Sequence, residues 1–193
     1  MKKSMLVVAV SCTVLTVTSC GRIQMPWNDS ADPAHSVGGA TMPTLQPAVS
    51  EEIAWVQDYS ANVEQSLQII HMATTQTSNV AVLDIAKQVS FSQQFSSRVL
   101  TGWLETWGSG NGTPKPLLGA LTSTQLDNLM ASRDAAFDST WIQVMIAHHQ
   151  GALACATSFK DHTKNTQILK FIRTQEQMLT AQIGQLQDLQ LTP

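Results

Sequence analysis

Between Ser50 and Leu191 apolar residues recur every three or four positions, a spacing that predicts helices rather than strands. Ile53, Val56, Val63, Leu67 and Ile70 form one stripe; Val82, Ile85, Val89, Val99, Leu100 and Trp103 form a second. Between them Thr77-Ser78-Asn79 supplies hydroxyl and amide groups that favour a turn and a helix start. The second stripe stops at Gly108, and the glycines to Gly112 with Pro114 and Pro116 read as loop. Nothing like Gly-Lys-Ser follows, so this loop is no phosphate cradle. A short helix capped near Thr122 or Ser123 comes next. After it the pattern predicts a long helix from about Arg133 to Phe159, a break around Asp161 to Asn165, and a last helix to about Leu189.

The second half repeats the first. A shift of 86 residues, without gaps, pairs Glu52 with Asp138, Trp55 with Trp141, Gln57 with Gln143 and Leu67 with Leu153. The same shift sets Thr77-Ser78-Asn79 against Thr163-Lys164-Asn165 and Lys87 against Arg173. Amphipathic helices can match by chance; the matched turns are what argue for repetition. Each hairpin alone exposes an apolar face that only the other can cover, so the expectation is an all-α four-helix bundle made of two tandem helical hairpins.

Upstream of this domain the pattern changes. Lys2 and Lys3 precede an apolar run, Met5 to Val10, that continues through Val14, Leu15 and Val17, as in a secretion signal. Val17-Thr18-Ser19-Cys20 resembles a bacterial lipobox, in which the cysteine becomes the lipid-modified first residue. The expected organisation is therefore a signal peptide over 1–19, a lipid-anchored tether over 20–49 and the helical domain over 50–191. Pro26, Pro33, Pro43, Pro47 and Gly38-Gly39 mark the tether as disordered, with a reach on the order of 30 Å. An ordinary secreted protein cut near this point is the competing reading.

Loss of Lys2 and Lys3 leaves nine of eleven basic residues against fourteen acidic ones, a formal charge of −5. That balance speaks against nucleic-acid binding. Cys12 leaves with the signal and Cys20 carries lipid, so Cys155 has no intramolecular partner. It is expected to be a buried inert thiol, a soft metal ligand or an intermolecular bridge.

One segment carries candidate chemistry. At about 100° per residue, Asp138, Met145, His148, Ala152 and Cys155 fall within a stripe about 80° wide, with His149 at its edge. Thioether, imidazole and thiol suit copper(I) first and zinc second; magnesium and calcium would want oxygens. The small Gly151 and Ala152 would let a neighbouring helix approach closely. Against this stands ordinary packing, since Met and Cys are common in helical cores. Glu-x-x-His, Gly-x-Ser-x-Gly, His-Glu-x-x-His and Cys-x-x-Cys are all missing from the sequence, so no enzyme is expected.

The string Met145-Ile146-Ala147-His148-His149-Gln150-Gly151-Ala152, with Thr101-Gly102-Trp103-Leu104 and Trp107-Gly108, resembles the bacterial domain-of-unknown-function 305 family. The resemblance covers nearly all of 50–191. It implies an exported, ferritin-like four-helix bundle and, as in some family members, copper binding through histidine and methionine. It points to Met145, His148 and His149 as ligands, with Cys155 where the family usually has methionine. Asp138 and Met178 stand as weaker or supporting ligands. Departures accompany the match: the first hairpin has Tyr59, Asn62 and Val63 at the Met-His-His positions and Ile69 at the later methionine. Ser96 and Leu100 stand where the family tends to place glutamate and methionine, and Glu176 lies near Met178. His71 reads as a surface residue and Met72 as core.

Two functions remain open. One is a lipid-anchored protein outside the cytoplasm that sequesters or hands on copper(I), with the membrane reached through Cys20. The other is a structural or interaction lipoprotein whose bundle has lost most of the metal ligands. A homodimer pooling single sites, or an envelope protein partner, fits either.

Overall fold

The computed structural model describes residues 44–108 and 112–191. The expected signal peptide, the lipidated Cys20 and the tether up to residue 43 lie outside the described residues. Five helices and no strands occur among the described residues: α1 (Ser50–Gln76), α2 (Val80–Trp107), α3 (Ser123–Ala131), α4 (Asp134–Phe159) and α5 (Thr166–Leu191). No helix among them is long and apolar enough to cross a membrane.

Local chemistry sets each helix start. Glu52 in the first turn of α1 accepts from the Val49 backbone N–H at 3.0 Å. Asn79 caps α2 by accepting from Ala81 N–H, and Asn165 caps α5 by accepting from Gln167 and Ile168 N–H. Thr77 and Thr163 each accept from the backbone N–H of the asparagine two residues on. The matched turns thus fold alike. At α3, Thr122 and Gln125 form a reciprocal cap.

α1 packs along α2 and α4 along α5; α1 also lies against α4 and α2 against α5, while α3 touches α1 and α4. Two apolar clusters fill the space between them. One gathers Ile69, Val82, Val89, Leu129, Phe137, Trp141 and Met145, all buried; the other gathers Trp55, Val56, Tyr59, Leu100, Phe159, Phe171 and Leu179. Acidic residues at equivalent positions tie the two pairs together. Glu52 on α1 accepts from Thr163 in the α4–α5 turn, and Asp138 on α4 accepts from Asn79 in the α1–α2 turn at 2.9 Å.

Contacts begin ahead of α1, within the stretch expected to be tether, at Gln46. Its carbonyl accepts from the Trp107 indole, and its side chain accepts from Thr166 N–H at the start of α5. The first turn of α5 leaves backbone donors unpaired, and an amide oxygen arriving from upstream satisfies one of them.

Candidate metal centre

Met145, His148 and His149 occupy one turn in the middle of α4, and all three side chains are fully buried. Spacings of three and four residues bring their side chains to one side of the helix. The two imidazole rings lie 6.4 Å apart between centroids and are tilted by 44°.

The histidines differ in what covers them. His148 Nε2 lies 3.1 Å from the Asn62 carbonyl on α1, and Nδ1 lies 3.4 Å from the Gly119 carbonyl in the segment before α3. Burial lowers its pKa, though both carbonyls oppose the shift. A neutral ring carries a single N–H, which the shorter contact assigns to Nε2. Nδ1 then presents a bare lone pair toward Gly119.

His149 faces α5 instead. Burial, then the neighbouring His148, push its pKa down to about 3, with Gln182 opposing. Gln182 lies close enough to exert that effect. Even so, neither ring nitrogen of His149 makes a hydrogen bond of good geometry among the described residues, and the Gln182 side-chain oxygen is likewise buried without one. The Gln182 amide nitrogen is committed to Ser92 on α2 at 2.8 Å. An imidazole buried with both nitrogens unpaired costs on the order of 1–3 kcal/mol per group. It is also a ligand with a free lone pair.

The rest of the predicted stripe is divided. Cys155 is only partly buried and packs with Met178 against the second apolar cluster, whereas Met145 belongs to the first. Ten residues of helix separate Met145 from Cys155, a rise of about 15 Å. Ligands of one ion lie within roughly 2.0–2.4 Å of it, so these two sulfurs cannot share an ion. Burial raises the Cys155 pKa, the nearby Trp55 indole opposes this, and Asp58 adds to it. Asp138 is engaged by Asn79 about two turns from Met145. Among the described residues no three or more His, Cys, Asp or Glu side chains are grouped as a metal site. What α4 offers is imidazole with thioether. His71 is exposed and Met72 buried, as their positions suggested.

Several surrounding residues carry no motif. Gln65 on α1 accepts from Leu121 N–H at 2.7 Å and donates to its carbonyl at 2.9 Å. Asp58 accepts from Lys115 N–H at 2.6 Å. Gly151 admits the Leu118 carbonyl so closely that a Cβ would overlap it, and Gly119, at φ +80°, meets the Ala147 carbonyl in the same way. The small residues of α4 therefore make room for a loop, where sequence reasoning expected a helix. Buried glutamines and serines at helical spacing, such as Gln182 and Ser96, were the available signal for the polar layer.

The fold has solved counterparts. A DUF305 fragment from Deinococcus radiodurans aligns with a TM-score of 0.70 at 20% identity, covering 75% of this chain and 98% of that one. A DUF305 protein from Streptomyces coelicolor aligns at 0.66 and 18% identity, covering 70% and 88%. CopM in its Cu(I)-bound form aligns at 0.60 and 18% identity, covering 72% and 94%. No curated protein sequence matches the chain. The model of the family described as domain of unknown function (DUF305) matches residues 52–190, and with nearly the whole helical region included the chain belongs to that family.

Proposed function

We propose that this protein binds copper(I) outside the cytoplasm, as a ferritin-like four-helix bundle of two tandem hairpins anchored by lipid on Cys20, and that it sequesters or passes on the ion without catalysing a reaction. One observation carries the reading: His149 is fully buried and held neutral, with both ring nitrogens unpaired, one turn from the buried thioether of Met145. Imidazole and thioether together are a soft donor set that suits copper(I). His148 contributes through Nδ1 once the Gly119 carbonyl moves away. CopM, of similar fold, has been solved with Cu(I) and with Cu(II) bound.

The test is a competition between the domain and a chromophoric copper(I) chelator. His149→Leu, Met145→Leu and the double variant His148→Ala with His149→Ala should each weaken competition by at least about tenfold, or about 1.4 kcal/mol. Equal competition by wild type and the double variant would sink the reading.

A second reading has its own support. His148 is engaged by two backbone carbonyls, as a packing histidine would be, and α1 carries Tyr59, Asn62 and Val63 at the positions equivalent to Met145, His148 and His149. On that view the bundle is an interaction module. Copper would then leave the melting temperature of wild type unchanged, because only a ligand that binds the folded state raises it.

A further inference from the structure

We infer that the segment Pro114–Leu121 is a gate over His148, which opens to expose Nδ1 while His149 stays closed beneath the helices. The inference takes its purpose from the copper reading but not its geometry.

His148 is fully buried, and its two ring nitrogens face the Asn62 carbonyl on α1 and the Gly119 carbonyl in the loop between α2 and α3. Leu118 and Gly119 of this loop sit directly on Gly151 and Ala147, which flank His148 on α4. Covering is done by backbone. Leu118 is 78% exposed, and of the loop side chains only Leu121 is buried, with Leu117 and Ala120 partly so. The loop is held to α1 by three hydrogen bonds: Asp58 to Lys115 N–H at its near end, and the Gln65 pair with Leu121 at its far end. An open pocket of about 160 Å³ lies between the loop and α1, lined by Asn62, Gln65, Lys115, Leu117 and Ala120 among others.

Segments with few buried apolar contacts and partly exposed hydrogen bonds open at far lower free energy than the whole fold. The loop's polar contact with His148, from the Gly119 carbonyl to Nδ1, is long at 3.4 Å. His149 is placed otherwise. It looks toward Gln182 on α5, so its exposure requires α4 and α5 to part.

Diethyl pyrocarbonate acylates a neutral imidazole nitrogen that it can reach, and fragment mass spectrometry separates His148 from His149. With the metal-free folded domain, His148 should be modified well before His149. Gln65→Ala and, independently, Asp58→Ala should each speed modification of His148 by on the order of tenfold and leave His149 unchanged. Circular dichroism at the labelling temperature identifies any variant that has unfolded. Should one fail, hydrogen exchange of the 115–121 amides in wild type replaces it, with faster exchange there than in mid-α4 as the expected result. The gate is overturned if the two histidines react at one rate in every folded form, or if the loop amides exchange no faster than mid-α4. Selective His148 labelling without any copper binding would keep the gate and reject the copper reading. Copper binding with equal labelling would do the reverse.

Discussion

α1 and α4 align in sequence at a shift of 86 residues, yet they carry different polar groups in the interior. Where α4 carries Met145, His148, His149 and Gly151, α1 carries Tyr59, Asn62, Val63 and Gln65. The Tyr59 hydroxyl, kept protonated by burial, points at the Gln175 oxygen at 3.5 Å, and the Gln175 amide nitrogen donates to Ser96 at 3.0 Å. Gln65 spends both ends of its amide on the loop backbone. On α1 Tyr59 and Gln65 have partners while the Asn62 amide nitrogen and the Ser66 hydroxyl are buried without one; on α4 it is both ring nitrogens of His149 that lack one. A bundle that needed only cohesion would gain by replacing His149 with a residue like Val63, since unpaired buried nitrogen lowers stability.

The largest expected effect comes from closing the space α4 leaves for the loop. Gly151→Ala places a Cβ against the Leu118 carbonyl, where backbone rather than a flexible side chain must move. Urea unfolding should show a loss of about 2–4 kcal/mol. Gln65→Ala, at the equivalent position of α1, removes two partly exposed hydrogen bonds and should cost only about 1–2 kcal/mol. If the two variants cost the same, the loop does not sit in α4 as tightly as the structure has it.

Acid should come next. The folded-state pKa of His149 is about 3, against roughly 6.5 in an unfolded chain. The unfolded state therefore binds the extra proton first. Stability from this group is complete above about pH 6.5 and falls as pH drops toward 3. At pH 4.5 the loss is roughly 3 kcal/mol, and His148, shifted in the same direction, adds to it. Thermal melts of wild type between pH 7.5 and 4.5 should slope steeply, and those of His149→Leu less so. Parallel slopes would mean that His149 is already solvated in the folded state.

How much of this was written in the sequence follows from what each feature depends on. Helix bounds came from apolar spacing and from the Thr-x-Asn turns, which are local, so α1, α2, α4 and α5 stand within a few residues of expectation. Met145 and His148 share the stripe for the same reason, whereas the burial of His149, at the stripe's edge, depends on α5 lying opposite. The stripe also implied that Cys155 joins them. An angular argument ignores rise along the axis, however, and about 15 Å of it separates Cys155 from Met145. Gln65, Gly119 and Gln182 could not be foreseen, because their roles depend on which backbone lies opposite after folding. Asp138 was read as a weak ligand from its place on the stripe; its bond to Asn79 in the other hairpin's turn became visible only with both hairpins in place.

That cross-hairpin bond gives a smaller and more symmetric test. Glu52 is buried and accepts from both Thr163 and Val49 N–H, while Asp138 is partly exposed and accepts from Asn79 alone. Glu52→Ala should cost about 2 kcal/mol and Asp138→Ala about 1 kcal/mol or less. Asp138→Ala should also leave copper(I) competition unchanged. A marked drop in affinity would return Asp138 to the ligand set.

The mildest change is expected at Cys155, and it separates the two sulfur-bearing levels of α4. Its equivalent on α1, Ile69, is fully buried and offers its carbonyl to the Trp141 indole at 3.0 Å, so Ile69→Ala should cost about 2–5 kcal/mol. Cys155 is half covered, beside Trp55, and loses little when trimmed: Cys155→Ala should cost less than about 1 kcal/mol. Because Cys155 lies too far from Met145 to bind the same ion, copper(I) affinity of the variant should stay within about twofold of wild type. A loss of about tenfold would move the ion to the level of Cys155 and Met178. The unpaired His149 would then need another explanation, and the histidine pair would revert to packing.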